Sequence, residues 1–268
     1  MPTIGLLLTG HLSWNWLLLG SLVFVVGCYL FLVNKQTELR LTSQQPIVFI
    51  VGIVLSYIII GSPLAVISYL SFSLHMLQMS ILYFIIPPLL LLGIPLSLYQ
   101  KLLSIPIVHK FPRIRHASRT FLYLFAVLFL LYHLPFLLTV LVKTPILKSL
   151  YLFILFLLSF GMWWPMVSPD PQQRLPVAEM KRYAMTSGYI LLPACLLFIL
   201  TAFMDAGNNP LLNQLVVHLC LPPDLGASDV LPSPFNTKYD QALSGFLMLG
   251  LHKASLVMVV KLEGKVQE

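Results

Sequence analysis

The sequence predicts an all-α integral membrane protein, a bundle of seven transmembrane helices with the N-terminus outside and the C-terminus in the cytoplasm. Three observations carry this prediction. Apolar residues make up 58% of the 268 and charged residues only 9%, whereas a soluble domain carries roughly 25% charged residues. The apolar residues lie in continuous runs close to the ~20 residues that cross a ~30 Å hydrocarbon layer, not in the alternating pattern of a membrane β-barrel. Lys and Arg, finally, gather in alternate connections between the runs, as topology signals do.

The expected helices, within a single membrane domain of residues 1–268, are 14–33, 47–67, 74–92, 120–142, 147–167, 189–204 and 242–262. The second is interrupted near Gly61-Ser62-Pro63, and Gly93-Ile94-Pro95 stops the third. The fourth carries His133-Leu134-Pro135 inside an apolar run, and the fifth ends on Trp163-Trp164-Pro165, placed as an aromatic anchor at the inner boundary. With the N-terminus outside, segments 34–46, 96–119, 168–188 and the C-terminal tail hold twelve Lys and Arg. Only Lys143, Lys148 and Lys238 fall outside, and Lys253 lies within the last helix.

This asymmetry accounts for the net charge of +7 without nucleic acid as a partner. Segments 106–119 and 175–183 mix apolar and basic residues, which reads either as ordinary topology-setting charge or as segments lying along membrane lipid of the inner leaflet. The outer segment 205–239, rich in Pro, Asn and Asp, is expected to cap the external face. Cys28, Cys195 and Cys220 form no CxxC pair, and residues 1–12 lack the basic start of a cleavable signal peptide.

Polar side chains within a membrane are costly and call for a reason. His75 and Met79 are one turn apart on one helix face, an imidazole and a thioether of the kind that suits Cu(I). Methionine is also an ordinary gap-filler, so packing is the commoner explanation of such a pair taken alone. His133 lies roughly 13 Å below the outer end of the fourth run, and Met248 about 12 Å below Asp240 in the seventh. His75, Met79, His133, Asp240 and Met248 therefore share the outer half of the membrane. His252 and Lys253 form a deeper pair. His11 and His218 fall in external segments, and His109 and His116 in a basic internal one. No phosphate-binding loop, dinucleotide fingerprint, HExxH or CxxCH motif is present, and the chain is expected not to be an enzyme.

The run His75-Met76-Leu77-Gln78-Met79, followed by Pro87-Pro88 and Gly93-Ile94-Pro95, resembles the signature of the CtaG family, assembly factors of bacterial caa-type cytochrome c oxidase. His133-Leu134-Pro135, Trp163-Trp164-Pro165 and Asp240-Gln241 with Ser244-Gly245 and Met248 continue the likeness in order. The resemblance implies a multi-pass protein of the bacterial plasma membrane that matures the oxidase and delivers copper, as Cu(I), to its heme–copper centre. Its implied partner is the oxidase catalytic subunit; an external copper donor protein is a further expected partner, and a homodimer, which would supply ligands twice at a subunit interface, is another. The chain departs from the family pattern at Met79, where a second His is usual, at Ser244, where the family has Gly, and at Leu249, where Trp is common. Rival expectations are a heme- or quinone-binding redox protein using His75, His133 or His252, a transporter using Asp240, His252 and Lys253, and a metal-free assembly scaffold.

Overall fold

The computed structural model describes residues 14–37, 43–104, 114–204, 235 and 237–266. Among them there is no strand. The α-helices longer than a single turn are α1 (Trp16–Gln36), α2 (Gln44–Ser56), α3 (Phe72–Ser80), α4 (Ile86–Leu92), α5 (Leu96–Leu103), α6 (Ile114–Tyr132), α7 (Pro135–Lys143), α8 (Pro145–Val167), α9 (Val177–Met204) and α10 (Lys238–Val266). A π-helical turn, Tyr57–Gly61, extends α2, and a second, Ile81–Ile85, joins α3 to α4. Six helical stretches among the described residues are long and apolar enough to cross a membrane.

The span from α3 to α4 is the hub: 67% of its most apolar window is buried, against 33% in most of its neighbours and 11% in α1. Around it, α10 packs along α3 and α9, α8 along α6 and α4, and α2 along α4. Aromatic rings fill the centre, with Tyr83 and Phe84 set against Phe125 and Phe129 at centroid separations of 5.6–6.2 Å.

The fourth expected span is divided. Proline disfavours helical backbone in the residue before it, and Leu134 is extended at φ −72°, ψ 131°. α6 therefore ends at Tyr132 and α7 restarts at Pro135, which needs no N–H in its first turn. The sixth helix begins at Val177 rather than 189, so Lys181 and Arg182, expected in an interfacial loop, ride its first two turns. Hydropathy detects only the apolar part of such a helix. Residues 96–119 likewise contain α5 and the start of α6, while 105–113 lie outside the described residues. So does nearly all of the expected external cap, 205–234 and 236, and with it His218 and Cys220.

Prolines explain much of the polar chemistry inside the bundle. Neither Pro87 nor Pro88 can donate to the Tyr83 carbonyl in α or π register, and the Trp163 indole N–H supplies that bond at 3.1 Å. Pro63 leaves the Ile59 carbonyl free, and the Gln78 amide donates to it at 2.9 Å. Trp163 and Trp164 are thus buried in the core, with Trp164 donating to Gln173 at 2.9 Å. They are not the lipid-facing anchors expected from their place at a helix end.

Candidate functional site

α3 starts at a doubly capped N-terminus. Its own Ser71 hydroxyl accepts from Leu74 N at 3.2 Å. Across the bundle, the buried Asp240 carboxylate of α10 accepts from Phe72 N at 2.9 Å, Ser73 N at 3.3 Å and the Ser73 hydroxyl. Free N–H groups and the positive end of the helix dipole make this position suited to a carboxylate. Asp240 therefore sets where α3 begins, and His75 follows within the first turn.

His75 is buried, and neither ring nitrogen forms a hydrogen bond. Its ring lies 6.3 Å from that of His133, 6.2 Å from Tyr69 and 6.1 Å from Tyr132, centroid to centroid. Buried polar atoms without partners are uncommon in proteins and each calls for an explanation.

The break before Pro135 prepares His133. At this end of α6 the backbone tightens: His133 N donates to Leu130 and Leu134 N to Leu131, at 3.1 Å each. The Phe129 carbonyl, which His133 N would take in a continuous helix, is instead met by His133 Nδ1 at 2.7 Å. A carbonyl accepts only, so Nδ1 holds the ring proton and Nε2 presents its lone pair. Nε2 is buried and unpartnered. Orientation of a His through such an outer hydrogen bond is the usual preparation of a metal ligand. Phe198 and Phe129 hold the ring at centroid distances of 5.0 and 4.6 Å.

Met79 and Met248 are buried in the same hydrophobic core, on α3 and α10. The structure thus brings His75 and His133 together, surrounds them with a core containing both methionines, and uses Asp240 to fix the helix that carries His75. His252 stands apart, its ring 5.0 Å from Phe84 and 6.2 Å from Trp163. Among the described residues, no three of His, Cys, Asp and Glu gather into one group.

One participant was missed in the sequence. Lys148 counts there as an external topology signal, yet it is buried in the first turns of α8. Its ammonium donates to the Tyr69 hydroxyl at 3.3 Å and lies 4.4 Å from that ring's centroid. Burial raises the Tyr69 phenol above its ordinary pKa, so it meets the ammonium as a neutral acceptor. Through Tyr69, whose ring lies 6.2 Å from that of His75, this cation borders the candidate site. Its place just after Pro145, at the start of an apolar run, was the signal available.

A family model described as the cytochrome c oxidase caa3 assembly factor (Caa3_CtaG) matches residues 27–262. No curated protein and no solved structure matches the chain.

Proposed function

Because the chain belongs to the cytochrome c oxidase caa3 assembly factor family, we propose that it carries copper, as Cu(I), to the oxidase catalytic subunit. His75 and His133 are the nitrogen ligands in this reading, and Met79 and Met248 supply thioether sulfur. Asp240 holds α3, and so His75, in place. The supporting observation is the buried pair of imidazoles 6.3 Å apart with three ring nitrogens lacking any partner. Two imidazoles and soft sulfur, with no cluster of carboxylates or thiolates among the described residues, favour Cu(I) over harder divalent ions.

Copper here is cargo. It arrives from an external donor protein and leaves by ligand exchange, with no bond of a substrate broken, so the chain is not an enzyme. A donor set of imidazole and thioether holds Cu(I) yet releases it to a stronger set. The chain sits in the bacterial plasma membrane, N-terminus outside, with α6 and α7 counted together as one interrupted span in a total of seven. The twelve Lys and Arg of the inner segments support this orientation.

Cu(I) titration of detergent-purified protein under reducing conditions tests the proposal. Wild type is expected to bind near-stoichiometric copper, His75→Ala to bind none, and Met79→Ala to bind more weakly. Wild type that takes up no copper sinks the delivery reading and leaves a scaffold. A Soret band in the purified protein would replace it with the heme reading.

A further inference from the structure

Arg119 opens the apolar stretch of α6, which runs to Tyr132. Arg182 lies roughly 8 Å along α9 from Val177, where that helix's span begins. Both guanidiniums therefore stand where hydrocarbon gives way to headgroups, a depth at which long basic side chains keep their charge at the interface. α9 packs against α6, and there a hollow of about 370 Å³ is lined by Arg119, Tyr123, Leu175, Glu179, Arg182 and Thr186. The buried Leu122 and Tyr183 complete its wall, and the Tyr183 hydroxyl is committed to the Met162 carbonyl at 2.7 Å.

Two guanidiniums and a carboxylate share this hollow without neutralising one another. Among the described residues, none of the three side chains forms an ion pair or a hydrogen bond. Arg119, Glu179 and Arg182 are all exposed, so their polar atoms are open to an occupant. A guanidinium only donates, through a planar fork that matches phosphate oxygens. The Glu179 carboxylate only accepts. The Thr186 hydroxyl spends its proton on the Arg182 carbonyl at 2.9 Å, so it too is left to accept.

The complement of this lining is one molecule that carries a phosphate and, close to it, N–H or O–H groups to give. Phosphodiester headgroups ending in ethanolamine or glycerol meet both demands. A choline end has no proton to donate, and inorganic phosphate sets its own negative oxygens against Glu179. The surroundings favour lipid over a soluble anion. Tyr123 is 53% exposed, and the exposed Leu124 and Val127 carry an apolar outer surface of α6 up to the hollow, as acyl chains require. Basic pockets between transmembrane helices are known seats of lipid headgroups.

We propose that the hollow between α6 and α9 seats the headgroup of a membrane phospholipid, its phosphodiester between Arg119 and Arg182 and its ethanolamine ammonium or glycerol hydroxyls against Glu179 and Thr186. The site rests on neither the copper reading nor the oxidase partner. It gives two of the charges expected only to set topology a specific ligand.

The test is native mass spectrometry of the full-length protein in detergent. It is titrated separately with phosphatidylethanolamine, phosphatidylglycerol and phosphatidylcholine of identical acyl chains, and with inorganic phosphate. Wild type is expected to bind the first two severalfold more tightly than phosphatidylcholine. Arg119→Gln combined with Arg182→Gln is expected to weaken them about tenfold, and Glu179→Ala to narrow the preference for ethanolamine over choline. Lys181→Gln removes a neighbouring cation of α9 that lines a different hollow, and is expected to change nothing. All four side chains are exposed, so melting temperature and copper content are expected to stay at wild-type values. Equal binding of the three lipids by wild type overturns the proposal, as does an affinity that survives loss of both arginines. A loss as large in Lys181→Gln reduces the arginines to general surface charge and overturns it too. Displacement of bound lipid by millimolar inorganic phosphate assigns the hollow to a soluble anion instead.

Discussion

Replacing Asp240 by Ala tests how the site is held together. Three donors of α3 converge on this one carboxylate: Phe72 N, Ser73 N and the Ser73 hydroxyl. Interhelical hydrogen bonds in membrane bundles average ~0.6 kcal/mol and reach ~1.7, and a charged acceptor puts these near the upper end. Three such bonds give a loss of about 2–5 kcal/mol, with α3 fraying at the turn that carries His75. Unfolding of detergent-solubilised protein by SDS, followed by fluorescence of its four tryptophans, measures this directly. Because Asp240 acts through α3, copper affinity should fall while full occupancy returns at higher copper. A variant within about 0.5 kcal/mol of wild type, well below that range, would refute the assignment of Asp240 as a cap. Lost copper stoichiometry at full stability would make Asp240 a ligand instead.

Two further outcomes follow from His133 and from proton competition. Pro135→Ala lets Leu134 return to helical backbone, and His133 N then takes the Phe129 carbonyl from the imidazole; Cu(I) affinity in a chelator competition should drop about 10–100-fold, the usual cost of losing an outer-shell partner, and an unchanged affinity would show that the break is not what orients the ring. Protons compete with copper for imidazole lone pairs, so binding should weaken as the medium is acidified. An affinity that acidification leaves unchanged would mean that sulfur alone holds the metal.

The sequence carried the outline of the fold because spans of apolar residues report burial in lipid directly. It also brought forward His75, His133, Asp240, Met79 and Met248 as polar or soft exceptions sharing one depth. What it lacked was rotation and pairing. Nothing in the linear order places the Asp240 carboxylate on Phe72 N, 168 residues away. Lys148 was hidden for a related reason: a lysine next to a helix start looks solvent-exposed until the helix packed against it is known. The division at His133-Leu134-Pro135 was different in kind, since the effect of Pro135 on its neighbour is local and was present in the motif. Trp163 and Trp164 were misplaced because an aromatic pair at a helix end has the same signature whether it faces lipid or core.

The freed carbonyls of the bundle interior have a consequence for how this sequence can change. Tyr83 O needs Trp163 only because Pro87 and Pro88 stand downstream of it, and Ile59 O needs Gln78 only because of Pro63. Each proline and its remote donor therefore form a unit of variation. In a homologue where a backbone N–H replaces Pro87 and Pro88, the indole N–H at position 163 becomes surplus, and Phe becomes acceptable there. Sequence drift at one position should leave its trace at the other, tens of residues away, and such correlated pairs would mark the helix contacts of relatives whose structures are unknown.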